Sequence, residues 1–77
     1  MKVKRDLELD GNTYLLTIED FNSGLLGRVY ENGLERRQLE STTDGIDGLK
    51  VSLLNAAYLL CAKEFDQSSG VGTWKLP

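Results

Sequence analysis

The chain has 77 residues, with 9 basic against 12 acidic side chains, a net charge of −3, 40% hydrophobic residues and 27% charged ones. That balance describes one folded domain rather than a disordered segment, and it disfavours a strongly basic nucleic-acid binder. The chain has no histidine and a single cysteine, Cys61, which removes the commonest general base and metal ligand, every His-based triad, an intrachain disulfide and a cysteine-rich zinc site.

Residues 3–9 alternate. Val3, Leu7 and Leu9 share one parity and Lys4, Asp6 and Glu8 the other, which is the period of a strand with one wet face. Asp10-Gly11-Asn12 supplies turn residues that accept positive φ. In residues 13–19, Tyr14, Leu16 and Ile18 alternate with Thr13, Leu15, Thr17 and Glu19, so a second strand should pair antiparallel with the first. Residues 20–24 read as a loop. Leu25–Glu31 reads as a third strand, and Asn32-Gly33 is the strongest hairpin signal in the chain. A fourth strand over 34–40 should follow. A plain two-residue loop would set Glu31 opposite Leu34, Tyr30 opposite Glu35, Arg28 opposite Arg37 and Leu26 opposite Leu39. Tyr30, Leu26 and Leu39 would then share one face, and Val29, Leu25 and Leu34 the other.

Residues 41–48 are rich in cap and turn residues, with Asp44 or Asp47 as the helix cap. From Leu49 to about Asp66 the sequence suits a helix, with Gly70 a candidate for its C-terminal glycine. Leu49, Leu53, Ala56, Ala57 and Leu60 form one stripe, Val51, Leu54, Tyr58, Cys61 and Phe65 an adjacent one, and Leu59 lies outside both. A surface helix ordinarily shows one apolar stripe. The surplus here must meet the C-terminal tail, a second copy or a partner, which predicts a homo-oligomer. Residues 71–76 alternate weakly and could add a short fifth strand, with Trp74 either finishing the core or anchoring a partner.

The predicted fold is α+β: a four-stranded antiparallel sheet of two hairpins with one long C-terminal helix on one face, order ββββα. Residues 1–67 form the domain and 68–77 a tail. The carboxylates Asp44 and Asp47 suit capping rather than acid–base work. Cys61 reads as a buried thiol with no histidine to activate it. No residue is assigned a catalytic or metal-binding role and no cofactor is expected; no glycine pattern fits a nucleotide phosphate.

Arg28, Arg36 and Arg37 gather on the second hairpin beside Tyr30, and a direct Arg28–Arg37 pair would repel. Reversing both charges should therefore not lower stability. Interfaces favour arginine and aromatic residues, so the candidate partner-binding residues are Arg28, Tyr30, Arg36, Arg37, Tyr58, Leu59 and Trp74. The expected function is a non-enzymatic protein-binding module that acts by occupying a partner surface. At the level of fold alone this is similar to small accessory proteins of phages and mobile elements, including anti-CRISPR inhibitors. The alternative is a homodimer binding single-stranded nucleic acid through Arg28, Tyr30, Arg36 and Arg37. Residues 1–6 lack the apolar run of a signal peptide and no stretch approaches 18 apolar residues, so the expected location is cytoplasmic, with no membrane partner.

Overall fold

The computed structural model describes residues 2–41, 45–64 and 74–76. Four strands, β1 (Lys2–Leu9), β2 (Asn12–Phe21), β3 (Gly24–Glu31) and β4 (Leu34–Ser41), precede one helix, α1 (Gly45–Leu60). The strands form an antiparallel sheet in chain order, and the helix packs on one face, giving the α+β fold expected from the alternation.

The turns follow from residues that tolerate positive φ. Asp10 and Gly11 take φ of 52° and 81°, and Asn32 and Gly33 take 51° and 88°. Positive φ at both central residues is the type I′ pattern, whose twist matches that of paired strands. Between β2 and β3 the expected loop is shorter than the composition of residues 20–24 suggested. Phe21 pairs with Gly24, and only Asn22 and Ser23 lie between.

The core face reads directly off the alternation. Tyr14, Leu16 and Ile18 of β2, Val29 of β3 and Val3 of β1 are buried against Leu49, Leu53, Leu54 and Ala57 of the helix. Gly27 lies in the middle of this face. A Cβ there would sit 2.8 Å from Leu53 Cδ1, well inside contact distance. Gly27 therefore makes room for the helix rather than for a turn.

The second hairpin departs from the simple register. Glu31 faces Leu34 and Tyr30 faces Glu35, but a β-bulge between Val29 and Tyr30 shifts the remainder. Arg28 faces Gln38, Val29 faces Arg37, Leu26 faces Glu40 and Gly27 faces Leu39. Arg36 is the extra residue. Two expectations fall with this shift: Arg28 and Arg37 are not partners, and Leu39 joins the core side with Val29 and Leu25. The bulge sends Leu39 to the helix and separates two like charges, which an unbulged ladder would have opposed.

The helix starts at Gly45, four residues before Leu49, and Asp47 lies within its first turn rather than capping it. Asp44 and Gly70 lie outside the described residues. The helix ends at Leu60, earlier than the composition suggested. Ala62 takes φ of 57°, the Lys63 N–H donates to the Tyr58 carbonyl at 2.9 Å, and the Ala62 N–H donates to that of Leu59 at 3.1 Å. This pair of bonds is the Schellman arrangement, with alanine where glycine is usual. Lys63 then reaches Asp10 at 2.9 Å, tying the helix end to the first turn. Residues near the C-terminus return to the free edge of β1. The Lys4 and Lys75 backbones exchange two N–H···O bonds of 2.8 Å each, an antiparallel bridge; residues 71–73 of the expected fifth strand lie outside the described residues.

Two stability measurements test this packing. Gly27→Ala should lower stability by about 1–3 kcal/mol by crowding Leu53. Ala62→Gly should raise it by about 0.5–1 kcal/mol, because the left-handed conformation strains a residue with a Cβ. Chemical denaturation of both variants measures the two effects, and a neutral Gly27→Ala would show that the helix does not rest on that strand.

Candidate functional site

Cross-strand partners share a sheet face, so the register defines the face turned away from the helix. One row across it is Asp6, Leu15, Tyr30 and Glu35. The next is Lys4, Thr17, Arg28 and Gln38, and the last is Lys2, Glu19, Leu26 and Glu40. A solvated antiparallel face normally carries polar residues at these positions. Here Leu15 and Tyr30 sit directly opposite one another, each half-buried. Leu26 is 1% exposed although it stands apart from the main core. Leu15 and Tyr30 are thus a partly exposed apolar pair on the face that the helix does not cover, whereas Leu26 is sealed from water.

Arg28 crosses the same face between two carboxylates. Its Nη1 meets Glu19 Oε1 at 2.5 Å and its Nε meets Glu35 Oε1 at 3.0 Å. The guanidinium is thereby fixed beside Tyr30 and carries no uncompensated positive charge. Planar, multiply bonded arginine next to tyrosine is a composition that protein interfaces favour.

The other two arginines do not join it. The bulge turns Arg36 to Glu31, with Nη1 2.5 Å from Oε1. Glu31 also accepts a 2.6 Å hydrogen bond from the buried Tyr14 hydroxyl. Burial first, and then Glu31, push the Tyr14 phenol well above its ordinary range, so it stays protonated as a donor that closes one end of the core. Arg37 faces Val29 at the sheet edge and donates to the Arg36 carbonyl at 2.8 Å. The expected three-arginine patch is thus dispersed over both faces and an edge.

The remaining candidates separate as well. Leu59 is 66% exposed on the outer side of the helix, beside the exposed Ser52 and Asn55, while Tyr58 is half-buried. Trp74 packs against the core cluster, and the Lys50 ammonium lies 5.8 Å from its ring centre. The tail thus takes up part of the apolar surplus of the helix, and Trp74 serves the core rather than an outer anchor. Of the seven candidate residues, only Arg28 and Tyr30 meet on one surface. Leu15, Glu19 and Glu35 complete it. Leu15 was visible in the sequence as an apolar residue at an outward strand position, and the two-residue-loop register already set Leu26 on the face of Tyr30.

A cleft of about 190 Å³ lies between the β2–β3 turn and the end of β4, lined by Phe21, Leu25, Glu40 and Ser41 among others. No group of three or more histidine, cysteine, aspartate or glutamate side chains able to hold a metal occurs among the described residues. Comparison with known protein families, with characterised proteins and with solved structures found no match, so the surface is interpreted from its own chemistry.

The ion pairs reverse the expectation for charge reversal. Arg28→Glu would leave three carboxylates together and should lower the melting temperature, whereas Arg37→Glu, exposed at the edge, should change it little. Adding Glu19→Arg to Arg28→Glu should recover part of the loss. Thermal melts of the three variants decide the point, and an unchanged Arg28→Glu melt would remove the Glu19–Arg28–Glu35 linkage.

Proposed function

We propose that this protein is a non-enzymatic, cytoplasmic binding module that acts by covering the surface of a protein partner with its open sheet face. The observation that carries the reading is the half-buried pair Leu15 and Tyr30 on the sheet face that the helix does not cover, beside an arginine already held in place. Contacts of this composition dominate protein interfaces, where an aromatic or arginine anchor is surrounded by polar groups that exclude water. Occupying a partner's surface in this way is how a small inhibitor works, with no bond made or broken. The single free thiol, Cys61, suits a reducing compartment. The alternative of single-stranded nucleic acid has less support, because Arg28 and Arg36 are each engaged by glutamates.

A photo-crosslinking amino acid in place of Tyr30, and separately in place of Ser52 on the outer helix, tests this in cells of the source organism. The position-30 protein should give one discrete, nuclease-resistant protein adduct, which Leu15→Asp reduces at least tenfold. Position 52 should give none. Nuclease-sensitive adducts, or equal labelling from both positions, would overturn the proposal.

A further inference from the structure

The outer edge of β1 and the seat of Trp74 beside it form a second surface, separate from the open face. Lys4 stands opposite Thr17 in the ladder. Its backbone N–H nevertheless donates to the Lys75 carbonyl, and its carbonyl accepts from the Lys75 N–H, at 2.8 Å each. Lys4 and Thr17 are therefore a non-hydrogen-bonded pair, and the backbone groups of Lys4 point away from β2. Alternation gives Lys2, Asp6 and Glu8 the same outward polarity. Among the described residues only Lys4 is met by another segment on that side. Such a row of outward donors and acceptors is a template for adding a strand. The side chain received next to the bridge is aromatic. Trp74 packs against the core cluster, and the Lys50 ammonium, on a side chain only 18% exposed, stands 5.8 Å from its ring centre. A cation over a ring favours an aromatic occupant. The fit is incomplete, because Trp74 Nε1 is buried without a hydrogen-bond partner, whereas buried indoles ordinarily find one. An orphaned buried donor weakens the hold on the group that carries it. Lys75 and Leu76 are exposed and add little burial.

We propose that residues 74–76 are an intrasteric strap over a strand-addition site, and that an extended segment of another protein, carrying an aromatic residue beside the one that pairs with Lys4, exchanges for them. The inference does not rest on the open-face reading. The strap itself defines the occupant: backbone antiparallel to β1, with a ring beneath Lys50. A longer strand gains over the strap by pairing the outward groups of Lys2, Asp6 and Glu8 as well. A ring without an N–H also avoids the orphaned donor. A second copy has neither advantage. Its residues 74–76 would make the same bonds while competing with a tethered strap, whose effective concentration is on the order of millimolar.

Peptide titration of the isotopically labelled full chain tests the proposal, with Trp74, the only tryptophan, as an internal reporter. The probe is an eight-residue Thr/Val peptide with Phe-Lys at its centre. One twin has alanine for the phenylalanine, and a second has a methyl group on the backbone nitrogen of the lysine, which removes the donor to the Lys4 carbonyl. The Phe peptide should shift the Lys4, Asp6 and Glu8 amides in NMR spectra and move the Trp74 emission to longer wavelength as the strap leaves. Ser52 and Asn55 on the outer helix should not respond. Each twin should bind about tenfold more weakly, the first for want of the ring and the second for want of a backbone bond. Trp74→Ala, which loosens the strap and empties its seat, should bind the Phe peptide at least tenfold more tightly, with circular dichroism confirming that it is folded. The twins need no change to the protein, so the comparison stands even if that variant unfolds. Equal binding of all three peptides, binding that leaves the Trp74 emission unchanged, or no binding at millimolar peptide would overturn the proposal. So would sedimentation showing a dimer of the full chain that Trp74→Ala disperses, which would put a second copy's strap in the seat.

Discussion

One close contact organises the molecule: Leu53 of the helix seated on Gly27 of the sheet. A single helix can cover only part of a four-stranded sheet, so its position decides which strands are sealed. Absence of a side chain at residue 27 lets the helix approach the inner strands, and Leu53, Leu54 and Ala57 are all but excluded from water there. The outer strands are then left to polar residues or to the tail. β4 is accordingly exposed along most of its length, and the tail closes the free edge of β1. No disulfide supports this small core, so its side chains and the few ties around it carry the stability.

Those ties concentrate at one end. Asn32, in the second type I′ turn, accepts from the Thr13 backbone through its side-chain oxygen and donates to the Asn12 side chain at 3.1 Å. The Tyr14–Glu31–Arg36 chain lies nearby in the ladder, and Lys63 reaches Asp10 from the helix. Turn chemistry, a buried hydroxyl and a helix end thus stabilise one rim of the sheet jointly. Each is modest alone, since exposed ion pairs contribute about 0–1 kcal/mol.

The fold was legible in the sequence because period-2 alternation and Asp-Gly and Asn-Gly turns are local signals. Tyr14, Leu16 and Ile18 announced the core face of β2, and Asn32-Gly33 announced its turn. What could not be read locally was the bulge. Nothing in Glu35-Arg36-Arg37 marks which residue is extra; the answer depends on Leu39 reaching the helix side and on Arg36 finding Glu31, contacts made only in three dimensions. That single residue moved Arg36 and Arg37 away from Arg28 and Tyr30. The helix end was misjudged for a related reason: residues 61–64 have good helical propensity, and the stop comes from Ala62 adopting an unfavourable conformation that the following Lys63–Asp10 contact accompanies. Arg28 and Tyr30 were visible as candidates, whereas the carboxylates that hold Arg28 required the register.

The bridge between Lys4 and Lys75 has a consequence for how the molecule assembles and opens. Every other strand pairing joins neighbours in the chain across a two-residue turn, so the meander closes through short loops of low entropic cost. The edge bridge instead joins residues 71 positions apart and forms only once β1 has a partner to hold it extended. It is therefore the last backbone link made and the first released, a local opening of lower free energy than global unfolding. Trp74 leaves the core when it opens, so the indole's emission reports this fraying separately from the cooperative melting of the sheet.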